Sequence, residues 1–231
     1  MTNFQEMRRE TPVREPAINL PWPVGVLILA LILAHAARVF TGGDADRFAL
    51  TSADLETGRF GGLVTYQFVH GSWTHVLMNA AFILAFGAPV AGFLGRGVRG
   101  ALAFVGFFLA CGVIAAAAYG LMSAVLGAAG MVQQPWALVG ASGAASGLMA
   151  AAARLIEGRG RLGSVLGRTV WGMTVSWIVV NLVLGLSGLT PGAEGVPVAW
   201  QAHIFGYFAG LLLIGPFGWI AGVRSDHAKA L

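Results

Sequence analysis

Hydrophobic and polar positions in this chain segregate into whole segments. Apolar runs long enough to matter as units recur from end to end, and short connections between them hold nearly all the charged side chains. A helix rising 1.5 Å per residue needs about 20 apolar residues to cross a hydrocarbon core ~30 Å thick. The runs therefore predict membrane-spanning helices at about Pro23 to Phe40, Trp73 to Leu94, Ala101 to Leu121, a fourth opening at Ser142, Thr169 to Leu186, and Gln201 to Val223. Pro216 is a potential kink in the last. The expected fold is all-α: a polytopic membrane protein with a six-span domain over residues 22–223, flanked by polar tails at 1–21 and 224–231. The connection at 41–64 is long for a compact bundle and carries Asp44, Asp46, Asp54 and Glu56, a pattern that often marks a functional loop.

Composition agrees and narrows the class. With 57% hydrophobic and 10% charged residues, the chain is too apolar for a soluble domain. The net charge of +4 is spread along the connections, so it does not form a nucleic-acid patch. Arg8, Arg9, Arg14, Arg96, Arg99, Arg154, Arg159, Arg161, Arg168, Arg224 and Lys229 fall on one side of the six-span arrangement, against Arg38, Arg47 and Arg59 on the other. By the positive-inside rule both termini are expected in the cytoplasm. The first run follows a polar segment without a small-residue cleavage site, so it reads as a span and not as a removed signal peptide. Cys111 is the single cysteine; an intrachain disulfide is impossible, and a small buried hydrophobe is its expected role.

Candidate chemistry centres on Gly140 to Ala150, where glycine, alanine and serine open the fourth span. The Gly143 to Gly147 spacing is common helix-packing grammar, and alone it favours packing over catalysis. The topology adds three facts. Ser142 lies at the outer end of the fourth span, His203 at the outer end of the sixth, and His70, His75 and Asn79 near the outer end of the second. Polar residues gathered at one depth imply an outward-opening cavity. A serine hydroxyl becomes nucleophilic when an imidazole takes its proton, and Gly206 and Gly210, with His203, occupy one face of the sixth span that Gly143 and Gly147 could meet.

With no carboxylate placed on the last three spans, a Ser142–His203 dyad is the expected pair. His75 and Asn79, one turn apart, could donate to an oxyanion together with the Ser142 N–H. Zinc held by His70, His75 and His203 is the chemical rival, disfavoured by the spacing of the first two. A transporter with a midplane site is another reading, disfavoured by the depth of the polar set. His35 and Arg38 are expected at the membrane interface, Trp73, Trp136 and Trp200 in an interfacial belt. Ser146, Ser164, Ser176, Asn181, Ser187 and His227 read as ordinary polar residues.

Three segments, His70-Gly-Ser-Trp-Thr-His75-Val-Leu-Met-Asn79, Gly140-Ala-Ser142-Gly143 and Ala202-His203-Ile-Phe-Gly206-Tyr-Phe-Ala-Gly210, resemble the motifs of rhomboid intramembrane serine proteases in their bacterial six-span form. The resemblance implies Ser142 as nucleophile, His203 as general base and then acid, His75 and Asn79 as oxyanion-hole side chains, and His70 in a supporting role beside Gly140 and Gly143. It implies single-pass transmembrane substrates, cut near the outer face of a bacterial inner membrane, with no metal or cofactor. The fifth span and the loop before Gln201 would form a lateral gate. A catalytically silent relative that binds transmembrane helices is the alternative. Two departures stand out: Ser146 occupies a position where relatives often carry an aromatic that stacks on the histidine, and Gly61-Gly62 replaces a Trp-Arg pair in the first outer loop.

Overall fold

The computed structural model describes residues 20–45, 47–131, 135–188 and 198–223. Helix α1 (Trp22–Thr41) leads into a loop built from strand β1 (Leu50–Thr51), α2 (Ser52–Glu56) and α3 (Gly62–Thr65). Then follow α4 (Trp73–Leu94), α5 (Val98–Ala128), strand β2 (Ala137–Leu138), α6 (Ser142–Glu157), α7 (Arg168–Ser187) and α8 (Trp200–Ala221). Residues 1–19 and 224–231 of the expected tails, with His227, together with Asp46 of the long connection and residues 189–197 of the loop before Gln201, lie outside the described residues. The all-α polytopic expectation holds, with one refinement. Among the described residues five helices are long and apolar enough to cross a membrane, while α6, at 16 residues, rises only about 24 Å, short of a ~30 Å hydrocarbon core.

Local signals explain where the helices start and stop. The Ser72 hydroxyl accepts the His75 N–H and caps α4. Helix α1 closes on Gly42 and α8 on Gly222, both left-handed, which relieves the last carbonyls. Helix α5 runs seven residues past the expected end at Leu121, because no charge or proline interrupts its Ala- and Gly-rich continuation. Pro216 does not end α8, which continues to Ala221.

Helix α6 is the centre of the bundle, with α4, α5 and α8 packed around it. Phe104, Phe107 and Phe108 of α5, Leu148 of α6, Val90 of α4, Leu31 of α1 and Ile214 of α8 form the fully buried apolar core. Packing of α6 onto α8 is backbone on backbone. A Cβ on Gly206 would run into the Gly143 carbonyl, and one on Gly210 into the Gly147 carbonyl. On its other side, Gly147 accepts Cys111 of α5, where a Cβ would lie 2.6 Å from Sγ. The four packing glycines are thus where the spacing predicted them, and Cys111 is a buried space-filler.

The 41–64 loop is structured. Strand β1 pairs antiparallel with β2, Leu50 opposite Leu138 and Thr51 opposite Ala137, and the Ser52 N–H donates to Trp136 O at 3.1 Å. A capping box links Thr51 and Asp54. The Thr51 hydroxyl bond, reinforced by Arg59 at 2.8 Å, holds the Asp54 carboxyl below the usual carboxylate range. Gly62 packs on β1, where a Cβ would stand 3.1 Å from Leu50 Cα. The loop that lacks the Trp-Arg pair is therefore fastened by a two-residue ribbon to the segment that delivers Ser142.

His35 departs from its expected place at the interface. It is buried in the bundle with its ring edge-on to Trp73, centroids 4.7 Å apart. A polar residue near the end of an apolar run looks interfacial, yet here it turns inward towards α4. Arg38 reaches the His70 carbonyl at 2.8 Å.

Candidate active site

Helix α6 begins at Ser142, so its first N–H groups have no partner within the helix and point towards the same end as the serine hydroxyl. Glycine contact brings α8 alongside, and the result is a direct bond: Ser142 Oγ lies 2.8 Å from His203 Nε2. The expected pair is formed. Both residues line a cavity of about 680 Å³ that also takes in His75, Asn79, Phe82 and Trp177.

His75 and Asn79 stand across the cavity on α4. Gly140, at φ +105°, makes room for the histidine: a Cβ there would lie 2.7 Å from both His75 Cε1 and Nε2. The left-handed backbone and the missing side chain are needed together at this position. Asn79 is 5% exposed and its Nδ2 has no hydrogen-bond partner among the described residues. A buried, unsatisfied donor on a cavity wall is costly unless something else uses it.

His70 lies beside the site and holds its frame. Its Nε2 accepts the Ala141 N–H at 3.4 Å and its carbonyl accepts Arg38, so it ties the turn before Ser142 to α1. Its ring is 5.0 Å from that of His75. His203 stands apart from these two with both ring nitrogens occupied, and among the described residues no cluster of three or more metal-ligating side chains converges.

Two residues read as ordinary in the sequence belong to the site. Asn181 of α7 is 1% exposed, and its Oδ1 stands 2.7 Å from His203 Nδ1. One turn earlier, the Trp177 ring stands at 35° to the same imidazole, centroids 6.2 Å apart, and Phe82 packs on Trp177 with centroids 5.7 Å apart. Ser146 is buried beside the serine. Its hydroxyl bonds back to Ser142 O at 2.7 Å. The contacts that an aromatic on α6 would make come from α7 instead. The available signal was spacing: Trp177 and Asn181 are four apart, on one face of an otherwise apolar helix.

Chemically, the arrangement can pass a proton from a hydroxyl to an imidazole and offer N–H donors to an anion forming in front of the hydroxyl. The model of the Rhomboid domain matches residues 57–220, well over half of the chain. No curated protein matches it.

Proposed function

The chain belongs to the rhomboid family, the family of rhomboid-type intramembrane proteases, and is an integral multi-pass membrane protein; from that premise we propose that it is an active serine endopeptidase acting on single-pass transmembrane proteins. The observation that carries the reading is the 2.8 Å Ser142–His203 contact at the cavity wall. In the proposed reaction Ser142 Oγ attacks the peptide carbonyl carbon while its proton passes to His203 Nε2. The oxyanion takes hydrogen bonds from Asn79 Nδ2, the His75 ring N–H and the Ser142 backbone N–H. As the C–N bond breaks, His203 returns the proton to the leaving amine. Water, deprotonated by the same imidazole, then attacks the acyl carbon, and as the ester bond breaks His203 returns that proton to Ser142 Oγ and the new carboxyl product leaves.

The charge pattern supports cytoplasmic termini, which places the site near the outer face, in a bacterial inner membrane if the six-span layout is read as the bacterial form. Purified protein in detergent is expected to label with a fluorophosphonate probe and to cleave a transmembrane substrate, and Ser142→Ala is expected to abolish both. Cleavage that survives the substitution overturns the proposal. Ser146, which leaves His203 without an aromatic from α6, favours one other reading, a silent relative that binds transmembrane helices. That reading requires a client to co-purify equally with the wild type and Ser142→Ala, with neither cleaving it.

A further inference from the structure

Building on the protease reading, we infer that Asn181 is a positioning residue for His203, the third member of a Ser–His–Asn relay that sets the tautomer of the base. The argument rests on which atoms can donate. Asn181 Nδ2 donates to Trp177 O at 2.8 Å, one turn back on α7. That bond fixes the amide orientation and leaves the carbonyl Oδ1 to face the imidazole, 2.7 Å from Nδ1. A carbonyl oxygen only accepts, so Nδ1 carries the hydrogen. In a neutral ring the lone pair then sits on Nε2, which faces the Ser142 hydroxyl at 2.8 Å. The opposite tautomer would point an N–H at Ser142 and leave no base.

Geometry supports the assignment at each link. Asn181 is buried, so water does not compete for the bond. Trp177 stands beside the ring, centroids 6.2 Å apart and tilted by 35°. Among the described residues no carboxylate hydrogen-bonds His203, and Glu157, the acid on α6, sits at the far end of that helix and accepts the Thr169 N–H at 2.8 Å. A neutral amide orients the ring without adding a charge to an apolar site, where an unpaired carboxylate would be expensive. Ser142 of α6 and Asn181 of α7 hydrogen-bond His203, Trp177 of α7 stands beside its ring, and His75 of α4 lines the same cavity.

The test pairs kinetics with the ring's own spectrum. Asn181→Leu fills similar space without an acceptor; kcat is expected to fall about 10²-fold or more, with KM within about twofold. Two-bond 15N–1H correlation of histidine-labelled protein is expected to show His203, assigned by its loss in His203→Ala, as the Nδ1–H tautomer in the wild type and not in Asn181→Leu. Asn181→Asp restores an acceptor at the same place and is expected to recover most of kcat. Should Asn181→Leu fail to fold, Asn181→Ser, too short to reach Nδ1, takes its place. A folded acceptor-free variant with wild-type kcat, or with the Nδ1–H spectrum intact, overturns the inference. If the wild type itself does not cleave, the protease reading fails separately, and the spectrum alone still decides what Asn181 does.

Discussion

Helices α6 and α7 both contribute to one imidazole's surroundings, yet they are held in opposite ways. Eleven of the sixteen residues of α6 are buried, against three of the twenty in α7. Helix α6 is clamped on two sides by glycine contacts in which backbone meets backbone or Cys111. Helix α7 presents Val175, Val179, Val183 and Leu186 outward, and two of its three buried residues, Thr174 and Asn181, are polar. Thr174 Oγ1 donates to Val170 O at 2.7 Å, so the Tyr207 hydroxyl, 3.1 Å away, donates to Thr174. Both polar ties run to α8. In a bilayer, lipid tails solvate apolar side chains as well as protein does, so helices associate through close packing and hydrogen bonds. Here α6 uses the first device and α7 the second. The candidate nucleophile thus sits on the least displaceable helix, and the group that orients its base on the most peripheral one.

The sharpest way to break this comparison is to spoil the α6–α8 contact. In Gly206→Ala the new methyl collides with the Gly143 backbone, which cannot rotate away as a side chain would. Overpacking commonly costs about 1–3 kcal/mol, and the upper end is expected here because both partners are main chain. The helices must separate, which also lengthens the Ser142–His203 bond; a 1 Å misplacement can cost ~10² in rate. Thermal unfolding in detergent and the cleavage assay measure the two effects. A variant that melts and cleaves like the wild type would mean that α6 is no more firmly seated than α7.

A smaller effect is expected from the polar tie between α7 and α8. Thr174→Val keeps the shape and removes the acceptor of the Tyr207 hydroxyl, leaving a buried donor unsatisfied. Interhelical hydrogen bonds in membranes average about 0.6 kcal/mol and reach ~1.7, so a loss of about 1 kcal/mol in unfolding free energy is expected. The Asn181–His203 bond should persist, with the histidine spectrum of Thr174→Val unchanged. A loss several times larger would place α7 among the clamped helices.

What the sequence disclosed follows the same division. Ser142, His203, His75, Asn79 and the packing glycines were legible because residue type, motif spacing and membrane depth each limit where they can be, and small residues advertise close contact. The ends of α4 are legible at Trp73 and Leu94 because the apolar run stops at the polar segment Gly95-Arg96-Gly97, and the run is long enough to span despite His75 and Asn79 in its first two turns. Asn181 was not recognised. A carboxylate is the usual orienting partner of a histidine base, and an amide within Val-Val-Asn-Leu-Val carries no sign of which face of α7 meets α8. The β1–β2 ribbon, two residues per strand, is below what alternation can reveal. His35 was misplaced because burial in a membrane bundle depends on the partner helix, and Trp73 supplies that partner.

The smallest expected effect is on the outward face of α7. Val183 is 55% exposed, and truncation to alanine opens no internal cavity, because lipid or detergent fills the space the two methyl groups leave. Loss of apolar area against a lipid phase has almost no transfer cost, and substitutions away from packed features usually stay within about 0.5 kcal/mol. Val183→Ala is therefore expected to melt within that margin of the wild type and to leave kcat unchanged, since Asn181 and Trp177 lie on the opposite, buried side of the helix. The contrast with Gly206→Ala, one methyl added against two removed, is the direct measure of how differently the two helices are held. A shift above about 1 kcal/mol at Val183 would show that protein, and not lipid, covers this face.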